Sequence, residues 1–125
     1  MLGHNVNIYL NDILNSIKKI EDYIKDYSFE SFSSKSIVVD AVLRNLEIIG
    51  EAVKKIPSGI TNDYSEIEWK KIAGFRDIVI HAYGNVDLNI VWDIIKNKLP
   101  ELKKTVEKMI KEQDWNYFYF KLVVS

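Results

Sequence analysis

Three side chains near the middle of the chain have the types and the spacing of a catalytic site. Arg76, His81 and Tyr83 follow one another closely, and His81 is one of only two histidines. A histidine titrates near neutral pH and can act as a general base or acid, whereas an arginine offers a fixed planar charge for a phosphate. Together they could cleave RNA without a metal. His81 would take the 2′-hydroxyl proton or protonate the leaving oxygen, while Arg76 would hold the phosphate.

A structural interpretation of the same residues stays open. Arg76 could pair with an acidic residue, His81 could satisfy a hydrogen bond in the core, and Tyr83 could pack at a helix end. The catalytic interpretation carries a geometric condition, because residues five apart on one ideal helix lie about 140° apart. For Arg76 and His81 to converge, either the helix must break near Ile80 or the site must combine residues from two subunits.

The elements that would position these residues are predicted to be helices, because apolar residues recur at helical spacing along most of the chain. The fold class is therefore all-α. A break is expected at residues 83–85, Asp87 can cap the helix that follows, and Pro100 either kinks that helix or starts the next one. The predicted helices cover about residues 5–27, 37–56, 69–80 and 88–99, with a continuation to about residue 111.

The second predicted helix has an unusually narrow polar face. Its charges form a single file between apolar shoulders, and this charged file consists of Asp40, Arg44, Glu47 and Glu51. A surface helix of a monomer usually has a broad polar face, so the pattern indicates burial on more than one side, as in a subunit interface. The last three residues of the file are then candidate supporting residues of a site. A solvated ridge with Arg44–Glu47 pairing is the alternative.

Gly50 lies in the middle of the same predicted helix. A glycine there costs about 1 kcal/mol relative to alanine. Close approach of another backbone is a physical reason to keep it, so we expect a neighbouring segment to pack directly against this position.

Composition limits the class of protein. The 125 residues suffice for one domain with a core, and the net charge of −1 argues against a broad basic surface for nucleic acid. Any RNA contact would therefore be local or transient. The absence of cysteine excludes disulfides and thiolate metal sites, and a single motif histidine provides no zinc cluster. With no visible leader and no membrane-length apolar run, a cytoplasmic location is expected.

The C-terminal segment differs from the rest of the chain. Residues 1–114 are predicted to form one helical domain, and residues 115–125 an aromatic, β-prone tail. The tail could dock on the bundle, form an interaction surface or be an aggregation-prone appendage. Its role is left open by the sequence.

The motif residues Arg76, His81 and Tyr83, together with several blocks around them, resemble the HEPN superfamily. Their spacing matches its signature of an arginine, four residues, a histidine, one residue and a tyrosine. Further blocks resemble the HepT-like branch of that superfamily in order and spacing, and the similarity covers about residues 12–110. These blocks are residues 40–52, Trp69 before residues 72–74, and residues 86–87, 91–92 and 99–102.

This resemblance implies a small antiparallel bundle of four to five helices that dimerises, with motif residues of both protomers facing a shared cleft. It also implies that the protein is the toxin of a toxin–antitoxin pair and acts as a metal-independent endoribonuclease. Arg76 and His81 would be its catalytic residues, and Asp77 would help to orient the site. No cofactor is implied. The implied partner is a minimal nucleotidyltransferase antitoxin, which transfers AMP onto Tyr83 and could join a larger assembly. The added bulk and negative charge would keep an RNA phosphate out of the cleft.

Two other hypotheses are compatible with the sequence. In the first, the dimer is a non-enzymatic binding module that serves as substrate and partner of the nucleotidyltransferase, and the motif binds a nucleotide or a protein without cleavage. In the second, the chain is a purely structural helical assembly element. That hypothesis explains the apolar stripes but leaves the agreement of the motif blocks to chance.

Overall fold

The protein folds as a set of α-helices, with no strand among residues 2–85 and 87–124, which are the residues that the computed structural model describes. Side chains are described for residues 6–80, 87–116 and 118–124. The predicted all-α bundle is confirmed. Its helices are α1 (Leu2–Tyr23), α2 (Phe29–Ser33), α3 (Ser36–Lys54), α4 (Ser58–Thr61), α5 (Trp69–Ala73), α6 (Phe75–Asn85), α7 (Leu88–Asp93) and α8 (Leu99–Val124).

Helix α1 lies antiparallel to α8 and packs through the apolar stripe seen in the sequence. Near one end Asn7 Nδ2 donates a hydrogen bond to Asp114 Oδ1 at 2.7 Å. Near the other end Lys103 Nζ donates to Glu21 Oε1 at 2.9 Å, and this bond raises the pKa of Lys103. The buried stripe consists of Val6, Leu10, Ile13, Ile17, Ile20 and Ile24. A three-four repeat therefore predicted this face correctly.

Short helix α2 packs against the end of α7. Ser28 caps α2, because its hydroxyl accepts a hydrogen bond from the Ser31 backbone N–H at 3.1 Å. The ring of Phe32 is fully buried and lies 5.1 Å from that of Trp92. Helix α7 has its own cap in Asp87, as predicted, whose carboxylate accepts from the Asn89 N–H.

The helix predicted over residues 69–80 is wrong in its bounds, because Gly74 divides it. The Gly74 N–H closes α5 on the carbonyls of Lys70 and Lys71, and its own carbonyl accepts the Asp77 N–H at 2.9 Å as α6 begins. Helix α6 then continues to Asn85, through the residues where a break was expected. The chain thus breaks before the motif residues, and α6 ends only after them, at Asn85.

Gly50 of α3 allows the junction between α5 and α6 to approach the α3 backbone. A Cβ added at Gly50 would lie 3.2 Å from the backbone oxygen of Ile72 and 3.3 Å from that of Ala73. It would also lie 3.4 Å from the Cβ of Phe75. The expected close approach of another backbone is confirmed, and it fixes where the motif helix starts relative to α3.

Replacing this glycine is expected to destabilise the protein. Gly50→Ala should lower the free energy of unfolding by up to about 2 kcal/mol, because overpacking against two carbonyls costs about 1–3 kcal/mol and the gain in helix propensity is about 1 kcal/mol. Urea denaturation followed by circular dichroism measures the change. Gly59→Ala in α4 is the matched control, since nothing lies within 4 Å of its added Cβ. Equal stability of the two variants would contradict the packing argument.

Helix α7 leads into α8 through a π-helical turn over Ile94–Lys98, where the Leu99 N–H bonds the Ile94 carbonyl five residues back. Pro100 follows in the first turn of α8. A proline has no N–H to donate and its ring crowds the carbonyl four residues earlier. The wider π turn ends at Lys98, just before the proline, and lets the helical path continue through Pro100.

Helix α8 continues without a break to Val124, so residues 115–124 are helical although their composition favours strands. Adding a residue to an existing helix gains one backbone hydrogen bond for each residue fixed, and this outweighs a strand propensity that has no neighbouring strand. More than half of the surface of seven apolar side chains is exposed here: Trp115, Phe118, Tyr119, Phe120, Leu122, Val123 and Val124. These side chains are not docked on their own bundle.

No helix in the described part of the chain combines the length and the apolar character needed to cross a membrane.

Candidate functional site

Helix α6 carries the predicted motif residues, and its described side chains show which of its faces is turned outward. Phe75 and Val79 are buried and fix the inner edge of the helix, while Arg76, Asp77 and Ile80 are exposed. The backbone of residues 81–85 continues the same helix. The side chains of His81 and Tyr83 lie outside the described residues, as does His4, the other histidine of the chain.

The unbroken course of α6 excludes one of the two geometric conditions set by the sequence. Because the helix runs from residue 75 to residue 85, a break near Ile80 is wrong. Residues 76 and 81 therefore lie about 140° apart around the helix axis, whereas residues 76 and 83 lie about 20° apart. Within one protomer, the helix places Arg76 and Tyr83 on one side and His81 on another.

Arg76 contacts the charged file of α3 through Glu51. Arg76 Nη1 lies 3.5 Å from Glu51 Oε1, and Lys54 Nζ lies 3.8 Å from the same oxygen. That oxygen is buried, yet it accepts no hydrogen bond from any described residue. The structural interpretation predicted that Arg76 pairs with an acidic residue, and Glu51 is such a residue.

The ion pair leaves Arg76 largely available to a ligand. The Arg76 side chain is 53 % exposed and that of Glu51 41 % exposed. Exposed pairs of this kind contribute about 1 kcal/mol or less, because water screens them. Glu51 therefore orients the Arg76 guanidinium without neutralising it. Four of the five N–H donors of Arg76 need not face the Glu51 carboxylate.

The other predicted supporting residues pair with each other. Arg44 Nη1 lies 3.7 Å from Glu47 Oε2, and the Arg44 side chain is 68 % exposed. This is the arrangement that the solvated-ridge alternative predicted. Of the candidate supporting residues on α3, only Glu51 forms an ion pair with a described side chain of the motif helix, while Asp77 is exposed in the first turn of α6.

A hollow of about 210 Å³ lies along this part of α3, facing α1. Glu47 and Glu51 line it together with Asp12, Tyr9 and Lys55, and Lys55 Nζ lies 5.6 Å from the centre of the Tyr9 ring. No sequence pattern selects Tyr9 or Lys55, because the contact between them depends on the packing of α1 on α3. Lys54 could have been found, since it follows Glu51 at helical i,i+3 spacing.

The family profile described as ribonuclease HepT-like matches residues 13–109. The chain belongs to the HepT-like ribonuclease family. The matched segment includes the charged file and the whole of α6, and it ends before residues 115–124. The predicted membership of the HepT-like branch is therefore confirmed, and the prediction of an endoribonuclease is confirmed at the level of the family.

Curated relatives carry ribonuclease names as well. A "Gamma-glutamylcyclotransferase and putative RNase" of Methanocaldococcus jannaschii is 44% identical over 112 residues, which is 90% of this HepT-like chain and 50% of the relative. This chain therefore spans only half the length of that relative. A "Putative RNase" of the same organism is 44% identical over 112 residues, which is 90% of this chain and 97% of the relative.

A third relative carries the family name itself. The "Probable ribonuclease HepT" of Thermococcus cleftensis is 42% identical over 103 residues, which is 82% of this chain and 94% of the relative. No solved structure matches this chain. The roles of individual residues in this HepT-like protein rest on the geometry given above.

Proposed function

We propose that this HepT-like protein is the toxin of a toxin–antitoxin pair, acting in the cytoplasm as an endoribonuclease that needs no metal ion. The observation that carries the proposal is a half-exposed Arg76 on an unbroken motif helix, directed but not neutralised by Glu51. A permanently charged, planar guanidinium in that setting suits a phosphate group and the charge that develops on it during cleavage.

The active site is proposed to form between two protomers. Arg76 and His81 lie about 140° apart on one straight helix, so two α6 helices facing each other are needed to bring Arg76 near His81 of the partner subunit. Ile80 supports this arrangement. It is 56% exposed and by helical register lies between Arg76 and Asp77 on the outer face of α6. An exposed isoleucine amid polar groups suits a contact between subunits.

The proposed reaction is an attack by the RNA on its own backbone. His81 removes the proton of a 2′-hydroxyl, and the 2′-oxygen forms a bond to the adjacent phosphorus. The bond from phosphorus to the 5′-oxygen breaks, and that oxygen takes a proton from water, while His81 returns the proton that it accepted to the solvent. Arg76 stabilises the charge on the phosphate oxygens. The products are a 2′,3′-cyclic phosphate and a 5′-hydroxyl.

Silencing by a partner nucleotidyltransferase is proposed to act through Tyr83. Residues 76 and 83 lie about 20° apart around α6 and about 10 Å apart along it. AMP attached to the Tyr83 hydroxyl would thus add a phosphate on the Arg76 side of the helix. A phosphate there can form charge-assisted hydrogen bonds with the guanidinium and exclude the RNA phosphate.

The test combines RNA cleavage with the mass of the protein. Unmodified protein should cleave RNA in the presence of a chelator, and the antitoxin with ATP should raise its mass by one or more AMP units and stop the cleavage. Tyr83→Phe should still cleave RNA but gain no AMP and escape silencing. A dependence on added metal, or full activity of the AMP-modified protein, would contradict the proposal.

A non-enzymatic binding module is the second candidate, favoured by the net charge of −1 and by the existing pairing of Arg76 with Glu51. Its signature differs clearly. RNA would remain intact with unmodified protein, expression alone would not arrest growth, and the protein would still gain AMP from its partner.

A further inference from the structure

Two apolar features of this chain are not used by the proposed ribonuclease. The first is the aromatic tail, defined as residues 115–124 at the end of α8. Its described apolar side chains are 52–66% exposed. By helical register they surround the helix rather than forming one stripe. A helix that is apolar on all sides is normally buried, so the tail requires a covering surface.

The second feature is the α6–α7 groove, a cavity of about 320 Å³. Its walls are almost entirely aliphatic and aromatic, and Ile90 at its edge is 51% exposed. Its volume lies at the lower end of the roughly 300–1,000 Å³ typical of ligand pockets, which leaves room for ring side chains. The apolar lining consists of Ile67, Ile72, Phe75, Ile78, Ile90 and Ile94.

The charges at the rim of the groove favour a protein side chain over a nucleotide. Glu66, Glu68 and Glu101 stand there against two lysines, Lys71 and Lys98. A hydrogen bond with Lys71 holds the pKa of Glu68 below its usual range, so this carboxylate stays charged at neutral pH. A phosphate would be repelled by this rim, whereas the tail carries a single formal charge, the positive one of Lys121.

The tail cannot occupy the groove of its own chain. Glu101 lines the groove near the start of α8, and Trp115 follows it on the same unbroken helix. Fourteen residues of α-helix span about 21 Å, and the far end of the tail lies farther still. The groove and the tail therefore lie near opposite ends of one rigid helix.

We propose that the aromatic tail of one copy docks into the α6–α7 groove of a second copy. With two α8 helices antiparallel, each tail reaches the groove of the other chain, and one two-fold axis generates both contacts. The surface of α8 between the two features carries charges of both signs, among them Lys104, Glu107 and Lys111. Two α8 helices placed side by side would therefore not repel each other through charges of one sign.

The area available is sufficient for a stable contact. An aromatic side chain buries about 150–250 Å², so the exposed halves of the four described aromatics amount to about 400 Å² per tail. Two tails and the two surfaces that they cover would remove about 1,600 Å² from solvent, the size of a standard protein–protein interface. A membrane surface is a poorer match, because interfacial helices carry a face rich in lysine and arginine.

The test measures the mass of the full chain by analytical ultracentrifugation. The tail variant combines Trp115→Ser, Phe118→Ser and Phe120→Ser, and the groove variant is Ile90→Glu. All four positions are exposed, so folding should survive and is checked by circular dichroism. Each variant is expected to have half the mass of the wild-type assembly, and an equimolar mixture of the two should regain larger particles through its one intact contact. Ile37→Glu, at a position 83% exposed on α3, is the matched control and should keep the wild-type mass.

A thiol crosslink tests the same pairing directly, because the chain has no cysteine. Phe120→Cys mixed with Ile90→Cys should give covalent dimers with a short bismaleimide, while Phe120→Cys mixed with Ile37→Cys should not. Unchanged mass in both the tail and groove variants would overturn the proposal. A mass change in the tail variant alone would also overturn it, because it would indicate that tails pack against tails. The same holds if the only defect of the tail variant is a loss of binding to anionic vesicles. None of these readouts depends on RNA cleavage.

Discussion

His81→Ala lowers the rate of RNA cleavage by about 10²–10⁴-fold, because a positioned general acid–base contributes that much to proton transfer. Arg76→Ala is expected to cause a comparable loss, since Lys54, the other cation beside Glu51, lies on α3 and has no planar guanidinium. Arg76→Lys should recover only part of it. A lysine keeps the charge but loses the planar fork that binds two phosphate oxygens together.

The measurement is cleavage of a fluorescent RNA oligonucleotide under single-turnover conditions, with the melting temperature of each variant recorded alongside. Arg44→Ala is the matched control. It removes the same kind of charge from an exposed position that pairs with Glu47, and it should change the rate by less than about twofold. A His81→Ala protein with the wild-type rate would end the catalytic assignment of this residue.

Mixing the two inactive variants is expected to restore activity. If each site takes Arg76 from one protomer and His81 from the other, a mixed dimer of Arg76→Ala and His81→Ala contains one intact site and one doubly altered site. In the purified mixed dimer one of the two sites is intact, so about half of the wild-type activity should return. The gain over either variant alone is then large, because each alone retains about 1% or less.

The experiment is performed by coexpressing the two variants with different affinity tags and assaying the doubly purified dimer. Ile80→Glu in both chains is the control, since a buried charge in the α6 contact should prevent dimerisation and abolish the restoration. No recovery in a verified mixed dimer would place both residues of each site in one protomer, against the geometry of the straight helix.

Local patterns in the sequence predicted most of the helices because those patterns arise from the helix itself. The stripe of α1 is visible as a three-four repeat, and each of its residues from Val6 to Ile24 is buried. The cost of a mid-helix glycine at position 50 correctly indicated a close backbone neighbour. The end of α5 at Gly74 was missed, because a glycine inside an apolar pattern can continue or end a helix, and packing against Gly50 decides.

The site was less predictable because it depends on contacts between distant parts of the chain. The motif residues were found from their types, their spacing and the resemblance to HepT-like proteins. The contact of Arg76 with Glu51 requires α3 and α6 to approach each other, and nothing in either segment alone encodes that distance. The helical aromatic tail was missed for a related reason. Its residues have strand propensity, but they follow an established helix and have no strand to pair with.

The close approach at Gly50 has a consequence for the behaviour of Arg76 at different salt concentrations. The ion pair between Arg76 and Glu51 is exposed, so mobile ions at physiological ionic strength screen it over about 8 Å. The contact between the α3 backbone and the start of α6 is steric, and salt does not screen it. Rising ionic strength should therefore release the guanidinium from its carboxylate while α6 stays in register with α3. Helix position and arginine freedom are set by two different forces, so one can vary without the other.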